Sequence, residues 1–387
     1  MKGSADQLGD LLELIIGSGP ATRAELMEAT GLSRTTLGAR LKELVNQKLV
    51  MEAEAGPSTG GRPPTGFVFN AGAGMVLSID AGVTRTGLGV VDLGGESLVE
   101  RRVSRMIGSD PAAMLTWAGD QLEEMLAEAG RDIADVRAIG VALPGSVDFP
   151  HGRLVSPLLL PGWDAFPVAE TLGARFKTDV LVDNDVNVMA LGEARTGADD
   201  DRVVVIKAGT AIGLGYVSHG VVERGANGCA GDIGHIRVPD AEDIVCHCGK
   251  LGCVQAVAGG RAMAARLRAM GIEAEGAADI AALARSGVPE AITMVRTAGA
   301  AIGFVLSAVV NVLNPSRLVV AGDLTEARDY LLSALRETVY RESNPLATAE
   351  LEIDRARAGH RAGVLGASML ARDHALAPST IAALAGS

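Results

Sequence analysis

Three of the four cysteines in this chain of 387 residues lie within eight positions, at Cys246, Cys248 and Cys253, and His235 lies shortly upstream. Three thiolates and one imidazole at such spacing are typical of a closed tetrahedral zinc site. A disulfide is disfavoured because three crowded thiols cannot all pair, while three buried small hydrophobic side chains remain an alternative. The cluster therefore predicts a structural zinc site, and the chain must fold so that these four residues meet.

Composition limits the class of protein. Hydrophobic residues make up 48% and charged residues 21%, which indicates a globular protein, and the length favours two or three domains. The net charge of −12 argues against a surface that binds nucleic acid throughout. Residues 1–70 hold seven basic and eight acidic residues, however, so nearly all of the excess negative charge lies beyond them. A small DNA-binding module at the N-terminus is compatible with this distribution.

The sequence shows no sign of a membrane span or of a secretion signal. Its most apolar run, 304–313, contains Ser307 and Asn311, and acidic residues interrupt the apolar positions near the N-terminus. We therefore expect a protein of the reducing cytoplasm with no membrane partner.

The first fifty residues predict three helices in the helix-turn-helix pattern. A first apolar helix stops at 17–20, and a second runs from about Thr22 to Ala29, with Thr22 and Glu25 as a capping box. Gly31 makes the turn and Ser33 caps the third helix, whose inward side chains are Leu37, Leu41 and Leu44. A purely structural helical hairpin is the alternative, but residues 33–48 are basic within an acidic protein. The third helix therefore predicts DNA contacts from Ser33, Arg34, Thr35, Thr36, Arg40 and Lys42.

A Gly/Pro-rich segment follows, between two short alternating stretches. Residues 55–64 contain Gly60-Gly61-Arg62-Pro63, and this composition fits either an interdomain linker or the tip of a wing. A slender tip of this kind can place the Arg62 guanidinium in a narrow minor groove. Together with the three helices, we interpret the segment as the wing of a winged helix-turn-helix domain.

The rest of the chain predicts an α/β fold with two similar hairpins. A strand ending at Asp80 is followed by a Gly/Thr turn and a return strand, and 203–215 repeats that pattern. Another buried strand ends in Asp183-Asn184-Asp185, where polar groups are expected to line a crevice. Two such hairpins suggest duplicated lobes that close on a cleft. Helices are expected near 112–129, 256–270, 288–312, 325–342 and 360–374, with a buried strand over 318–322.

From about residue 75 to 375 these motifs resemble the ROK group of sugar kinases and sugar-responsive repressors, in the actin-like ATPase superfamily. The resemblance rests on three segments, Asp183-Asn184-Asp185-x-Asn187, Ala230-Gly231-Asp232-Ile233-Gly234-His235 and Cys246-x-Cys248-Gly249-x-x-Gly252-Cys253. It implies a two-lobed actin-like ATPase (ROK) domain with a structural zinc site behind the winged helix-turn-helix. The expected divisions are residues 1–72 for the DNA-binding domain, 73–183 for the small lobe and 184–387 for the large lobe, with a C-terminal helix able to pack back on the small lobe.

The resemblance also assigns residues to sites. It implies that His235, Cys246, Cys248 and Cys253 bind zinc. It implies a sugar pocket lined by Asn184, Asp185, Asp232, His235 and Gln255, with Asp185 in the position of the kinase general base. The repressors of the family look like dimers, so the resemblance implies a homodimer, which fits a two-fold operator, and leaves open whether dimers pair into a homotetramer.

Departures from the family pattern favour a regulator over an enzyme. Val83 and Ala211 stand where kinases of the family carry glycine in the two phosphate loops, and a β-branched valine obstructs approach of backbone to phosphate. Asp232 and Gln255 replace glutamates, which changes the polar groups offered to a sugar. We therefore predict a sugar-sensing, DNA-binding repressor with a vestigial Asp185. The alternatives are an ATP-dependent sugar kinase and a regulator controlled by a protein partner.

Overall fold

The computed structural model describes residues 4–54, 65–157, 160–196 and 202–385. Its N-terminal domain contains three helices and a three-stranded sheet of order β1-β3-β2. The elements are α1 (Ser4–Ser18), β1 (Ala21–Thr22), α2 (Arg23–Thr30), α3 (Arg34–Asn46), β2 (Val50–Glu54) and β3 (Thr65–Phe69). Strands β2 and β3 pair antiparallel and form the two sides of the wing. The predicted tip, including Arg62, lies outside the described residues.

Local capping explains where α2 and α3 begin. The Thr22 hydroxyl accepts from the Glu25 N–H at 3.3 Å, and the Glu25 carboxylate accepts from the Thr22 N–H at 2.7 Å. Ser33 caps α3 by accepting from the Thr36 N–H at 3.2 Å. Gly31 occupies the left-handed region at φ 66°, as the turn between the helices requires. The predicted capping box, turn and third-helix cap are thus confirmed.

The small lobe is built on a five-stranded sheet of order β10-β7-β4-β5-β6. Strands β4, β5 and β6 form an antiparallel meander, whereas β7 and β10 continue parallel to β4. The strands and helices of this lobe are β4 (Met75–Ala81), β5 (Thr86–Asp92), β6 (Ser97–Val103), α4 (Pro111–Glu128), β7 (Val136–Leu143), β8 (Val147–Asp148), β9 (Arg153–Leu154), α5 (Val168–Phe176) and β10 (Asp179–Asn184). Helices α4 and α5 cover one face around the fully buried Trp163.

The large lobe repeats this plan. Its sheet has the order β13-β12-β11-β14-β15, with an antiparallel hairpin β11–β12 and with β14 and β15 parallel to β11. Its elements are α6 (Asp185–Ala194), β11 (Arg202–Ala208), β12 (Ile212–Ser218), β13 (Val221–Val222), α7 (Val254–Ala258), α8 (Gly260–Ala269), α9 (Ala277–Ser286), α10 (Pro289–Leu313), β14 (Arg317–Ala321), α11 (Tyr330–Glu342), α12 (Pro345–Thr348) and β15 (Glu352–Arg355). The matching hairpins confirm the expected duplicated lobes.

The helices differ from the sequence expectation in several places: α5, α6, α12 and α14 (Pro378–Ala385) were not expected, and α11 begins at Tyr330 rather than near residue 325. The single helix expected near 256–270 is split at Gly259, where a Cβ atom would lie 2.5 Å from the Gln255 carbonyl oxygen. Glycine, which has no Cβ atom, permits this close approach, and its extended backbone at φ −68° and ψ 129° separates α7 from α8. Helix α9 was not expected, since its alanine-rich sequence has few large apolar residues.

Helix α10 is the one helix of the described ranges that is long and apolar enough, by length and composition, to cross a membrane. Half of its most apolar window is buried inside the protein, where the helix packs along α11. Its polar groups are also used internally, because the Asn311 side-chain oxygen accepts from the Asn344 N–H at 2.8 Å. We therefore describe α10 as a core helix of the large lobe.

Two C-terminal helices complete the fold, α13 (Ala362–Ala375) and α14 (Pro378–Ala385). Helix α13 packs on β4 and β7 of the small lobe and crosses α6, where a Cβ atom on Gly366 would lie 1.8 Å from the Val188 carbonyl oxygen. Helix α14 packs on α1 of the N-terminal domain. Its Ile381 is fully buried in a cluster that joins α1 and α3 to strands of the small lobe.

Candidate functional site

A cavity of about 500 Å³ lies between the two lobes. It is lined by the turns of both hairpins, by the start of α6 and by the start of α13, together with the loop that carries Asp232 and His235. Sites between lobes at the ends of strands are the usual place for small ligands, and this volume lies in the range of known ligand pockets. The predicted sugar residues Asn184, Asp185, Asp232, His235 and Gln255 all line this cavity.

Asn184 and Asp185 sit where β10 ends and α6 begins. Asn184 is the helix N-cap, since its side-chain oxygen accepts from the Val186 N–H at 2.9 Å. Its amide nitrogen donates to the Gly145 carbonyl at 2.7 Å, so both ends of this side chain are engaged by the protein. Asp185 is 6% exposed and belongs to the first turn of α6. The structure thus gives Asn184 a positioning role and leaves Asp185 facing the cavity.

Asp185 has a partner that the sequence analysis missed. The Lys207 ammonium, at the end of β11, lies 2.5 Å from an Asp185 carboxylate oxygen. Burial lowers the pKa of Lys207, but the carboxylates of Asp185, Asp80 and Asp323 raise it above its ordinary value overall. Burial raises the pKa of Asp80 to about 6, against the attraction of the Lys207 charge. In the sequence, the signal for a buried charge partner was Lys207 itself, a lysine at the end of an apolar strand.

The side chains of Gln255 and Asp232 differ in whether they already have a hydrogen-bond partner within the protein. The Gln255 side-chain oxygen accepts from the buried Ile212 N–H at 2.7 Å, which ties the helix after the last cysteine to the second hairpin. Asp232 is exposed on the cavity wall, and within the described parts of the chain its carboxylate has no hydrogen-bond partner. Asp232 is therefore an acidic group directly available to a ligand.

Each hairpin turn that resembles a phosphate loop closes on its own backbone. The Gly82 N–H donates to the Arg85 carbonyl at 2.9 Å, and the Gly209 N–H donates to the Ala211 carbonyl at 3.3 Å. Val83 and Ala211 both line the cavity. The two turns face each other across the cleft, and Arg85 lies 3.8 Å from Asp323 of the opposite lobe.

The predicted metal residues converge. The ligand atoms of His235, Cys246, Cys248 and Cys253 all lie within 4.8 Å of one another. The His235 Nδ1 to Cys246 Sγ distance is 3.6 Å and the Cys248 Sγ to Cys253 Sγ distance is 3.8 Å. A tetrahedral zinc ion with ordinary bond lengths separates a nitrogen from a sulfur by about 3.6 Å and two sulfurs by about 3.8 Å. The cluster is therefore compatible with zinc, in donor type and in spacing.

Backbone pairing connects this cluster to the cavity. The Val254 N–H donates to the Ile236 carbonyl and the Gln255 N–H donates to the Gly234 carbonyl, both at 2.9 Å. The segment that carries Asp232 and His235 is thus paired with the segment that carries Cys253 and Gln255. A metal ion in the cluster would hold two walls of the cavity in register.

On the N-terminal domain, α3 presents most of the residues predicted to contact DNA. Ser33, Arg34, Thr35 and Lys42 are exposed and Thr36 is half-buried, while Leu37, Leu41 and Leu44 are buried beneath them as predicted. Arg40 is half-buried, with its guanidinium 3.0 Å from the Glu43 carboxylate. Arg34 and Lys42 are therefore the exposed cations among the residues of α3 that are predicted to contact DNA.

A winged helix-turn-helix ahead of a two-lobed domain with a ligand cleft defines a DNA-binding regulator. Comparisons with known proteins agree with this class. The model of the ROK family matches residues 76–374, and a winged helix-turn-helix DNA-binding model matches residues 6–51. The chain belongs to the ROK family.

Individual relatives span both branches of that family. The chain is 26% identical over 368 residues to the xylose repressor of Bacillus subtilis (strain 168), covering 95% of this chain and 94% of that one. It is 29% identical over 313 residues to a glucokinase of Halalkalibacterium halodurans, covering 76% of this chain and 94% of the relative. A crystal structure of a ROK family transcriptional regulator, a homolog of the E. coli MLC protein, has the same fold, with a TM-score of 0.82, 24% identity and coverage of 99% and 98% of the two chains.

Proposed function

We propose that this protein is a transcriptional repressor that binds operator DNA with its winged helix and binds a sugar or sugar derivative in the inter-lobe cleft. The observation that carries the proposal is the physical continuity between cleft and DNA-binding domain. Helix α13 begins at the cavity with Gly363 and Val364, and α14, which follows it closely, is packed into the core of the N-terminal domain.

Individual contacts connect the cavity to the DNA-binding domain along α13 and α14. Gly363 lies against the Asp80 carboxylate at the cavity end of α13. Farther along, the Arg372 guanidinium donates to the Leu93 carbonyl at 2.6 Å. At the DNA-binding end, the Gln47 amide donates to the Ile381 carbonyl at 3.2 Å, just after α3. A shift of α13 would therefore move α14 and reach the end of the recognition helix.

Ligand binding has a direct way to shift α13. Asp185 and Asn187 belong to the first turn of α6 and line the cavity, and α6 crosses α13 with almost no space between the backbones. Packed elements of this kind move together rather than deform. Closure of the lobes on a ligand would thus change the position of the winged helices, and a second copy in a homodimer or homotetramer would set their spacing on a two-fold operator.

A zinc ion held by His235, Cys246, Cys248 and Cys253 belongs to this proposal as a structural component. With four protein ligands the ion has no open position for chemistry. Its role would be to fix the paired segments 234–238 and 252–255 at the cavity wall. Such a regulator acts in the cytoplasm, where it meets both operator DNA and its sugar.

A second candidate, an ATP-dependent sugar kinase, is favoured by Asp185 at the cavity and by the similarity to a glucokinase. The ion pair between Asp185 and Lys207 disfavours it, because a base that is held by an ammonium is a weaker proton acceptor. An ATP-consumption assay over hexoses and N-acetylhexosamines separates the two functions. Turnover that disappears in Asp185→Asn would establish the kinase.

The proposal is tested by fluorescence anisotropy with a DNA fragment from the region upstream of the protein's own coding sequence. We expect tight binding to that fragment and weak binding to a shuffled fragment of equal length and composition. Equal affinity for the two fragments would contradict a sequence-specific regulator. A thermal-shift panel of pentoses, hexoses and N-acetylhexosamines identifies the sugar, since a ligand of the folded state raises the melting temperature.

A further inference from the structure

Lys207 lines the cavity together with acidic side chains from both lobes. Its ammonium contacts Asp185, and its side chain is 27% exposed while that of Asp185 is 9% exposed. Lys207 pairs in register with Ala321 of the neighbouring parallel strand β14, so Asp323 leaves that strand two residues farther along the same edge. Lys207, Asp185 and Asp323 all line the cavity.

The small lobe adds a third carboxylate. Asp80 is the penultimate residue of β4, it lines the same cavity, and it is packed against Gly363 at the start of α13. The negative charges of Asp80 and Asp323 both raise the pKa of Lys207. Arg85 lies near Asp323 at 3.8 Å, at the edge of this group. One ammonium, paired with Asp185, thus lies in a cavity that the carboxylates of Asp80 and Asp323 also line.

Carboxylate oxygens converging from several elements are the ligands that Mg²⁺ and Mn²⁺ take in proteins. Here an ammonium already neutralises them. A divalent cation that approached Asp185 would have to displace Lys207 or sit close to its positive charge, and both are unfavourable. The residues present therefore do not fit a metal–nucleotide complex, which needs a divalent cation at this position.

We infer that the Lys207 ammonium is the permanent counter-ion of Asp80, Asp185 and Asp323, and that it occupies the place where these carboxylates would otherwise bind a divalent cation. The cleft is accordingly selective for ligands that bind through hydroxyl groups without a metal ion. Ligand binding does not depend on Mg²⁺, and substitution of this single lysine converts the cleft into a divalent cation site. The inference concerns the cleft alone and does not require DNA binding.

The test measures Mn²⁺ binding to the zinc-loaded full chain by electron paramagnetic resonance. Lys207→Gln keeps a polar, hydrogen-bonding side chain that is one atom shorter and removes its charge, whereas Lys207→Arg keeps the charge. We expect Lys207→Gln to bind one Mn²⁺ with an affinity on the order of a hundredfold above that of the wild type. Lys207→Arg and the control Lys177→Gln, at an exposed lysine that does not line the cavity, should resemble the wild type.

A second substitution locates the bound ion. The double variant Lys207→Gln/Asp185→Asn should lose the Mn²⁺ that Lys207→Gln gained, because a carboxylate ligand is gone. Zinc content and circular dichroism establish that each variant is folded, and Lys207→Met provides a second uncharged variant. Mn²⁺ affinities that are the same in the wild type and in the uncharged variants would overturn the inference, as would a gain that survives Asp185→Asn.

Discussion

Arg317 and Glu193 form an ion pair with 3.3 Å between Nη2 and Oε2, and both side chains are removed from solvent, at 1% and 0% exposure. The Glu193 carboxylate also accepts from the N–H groups of Arg357 and Ala358, at 3.0 and 2.8 Å. Glu193 lies at the end of α6, Arg317 begins β14, and Arg357 precedes α13. This pair therefore joins the helix that starts at the cavity to the large-lobe sheet and to the helix that leads to the DNA-binding domain.

Removal of one partner from this pair should be costly. Glu193→Ala takes the carboxylate away from the buried Arg317 guanidinium and from two N–H groups, and we expect a loss of about 3–5 kcal/mol in the free energy of unfolding, measured by urea denaturation. Glu337→Ala is the matched control, because Glu337 pairs with Arg341 at 3.6 Å on the exposed surface of α11. Its expected cost is below about 1 kcal/mol. Equal losses in the two variants would contradict the role assigned to Glu193.

Asp80 predicts a specific pH dependence. Its pKa is raised by burial from 3.8 to about 6, so the folded protein favours the protonated form. The favourable contribution is complete below about pH 4 and is lost as the pH rises through 6. Asp80→Asn imitates the protonated carboxyl despite the loss of attraction to Lys207, so at pH 8 it should be more stable than the wild type by about 1–3 kcal/mol.

The stability difference for Asp80→Asn should shrink to near zero at pH 4, where wild-type Asp80 is protonated in the folded protein. Thermal unfolding of both proteins from pH 4 to 8 measures this difference. A difference that stays constant over that range would show that Asp80 does not titrate as the structure indicates.

Cysteines inside and outside the metal cluster provide a test of the zinc site. Cys248→Ser removes one of the four converging ligands and should lower the zinc content, measured by elemental analysis, to well below one ion per chain. Cys229→Ser is the matched control, since Cys229 is exposed and lies outside the cluster. Zinc contents that are equal in the two variants would count against the assignment.

Arg34 is exposed near the start of α3 and should contact a phosphate of the operator. Arg34→Ala should weaken binding to all DNA fragments and reduce the slope of log affinity against log salt by about one. Arg341→Ala on the large lobe is a control that should leave affinity and slope unchanged. An unaltered salt slope in Arg34→Ala would exclude a phosphate contact by this residue.

Arg62→Ala should also weaken DNA binding while ligand binding stays intact.

Local signals explain which parts of the fold could be predicted. The Thr22–Glu25 capping box, the Ser33 cap and the leucines of α3 depend on residues within a few positions of one another, so they are readable from sequence. The same holds for the two hairpins and the cysteine cluster, whose spacing already suggests its geometry. The limits of the lobes and the individual sugar and DNA contacts stay predictions.

Other features depend on contacts between distant segments. A lysine at the end of an apolar strand was a local signal, but its partner Asp185 lies on α6, and no local pattern indicates that this helix meets β11. Helix α14 is short and weakly patterned, and its Ile381 becomes a core residue only because α1 and α3 surround it. The break at Gly259 is an extended residue that lies close to the Gln255 backbone, and the alanine-rich composition around it does not indicate such a break.

The central claim is that occupation of the cleft changes DNA binding through α13 and α14. The most direct measurement is the dissociation constant for the upstream DNA fragment, by anisotropy, without sugar and with a saturating concentration of the sugar found by thermal shift. We predict that the sugar weakens specific DNA binding by at least about tenfold, equivalent to a coupling free energy of about 1.4 kcal/mol. The same dissociation constant with and without the sugar would contradict the account.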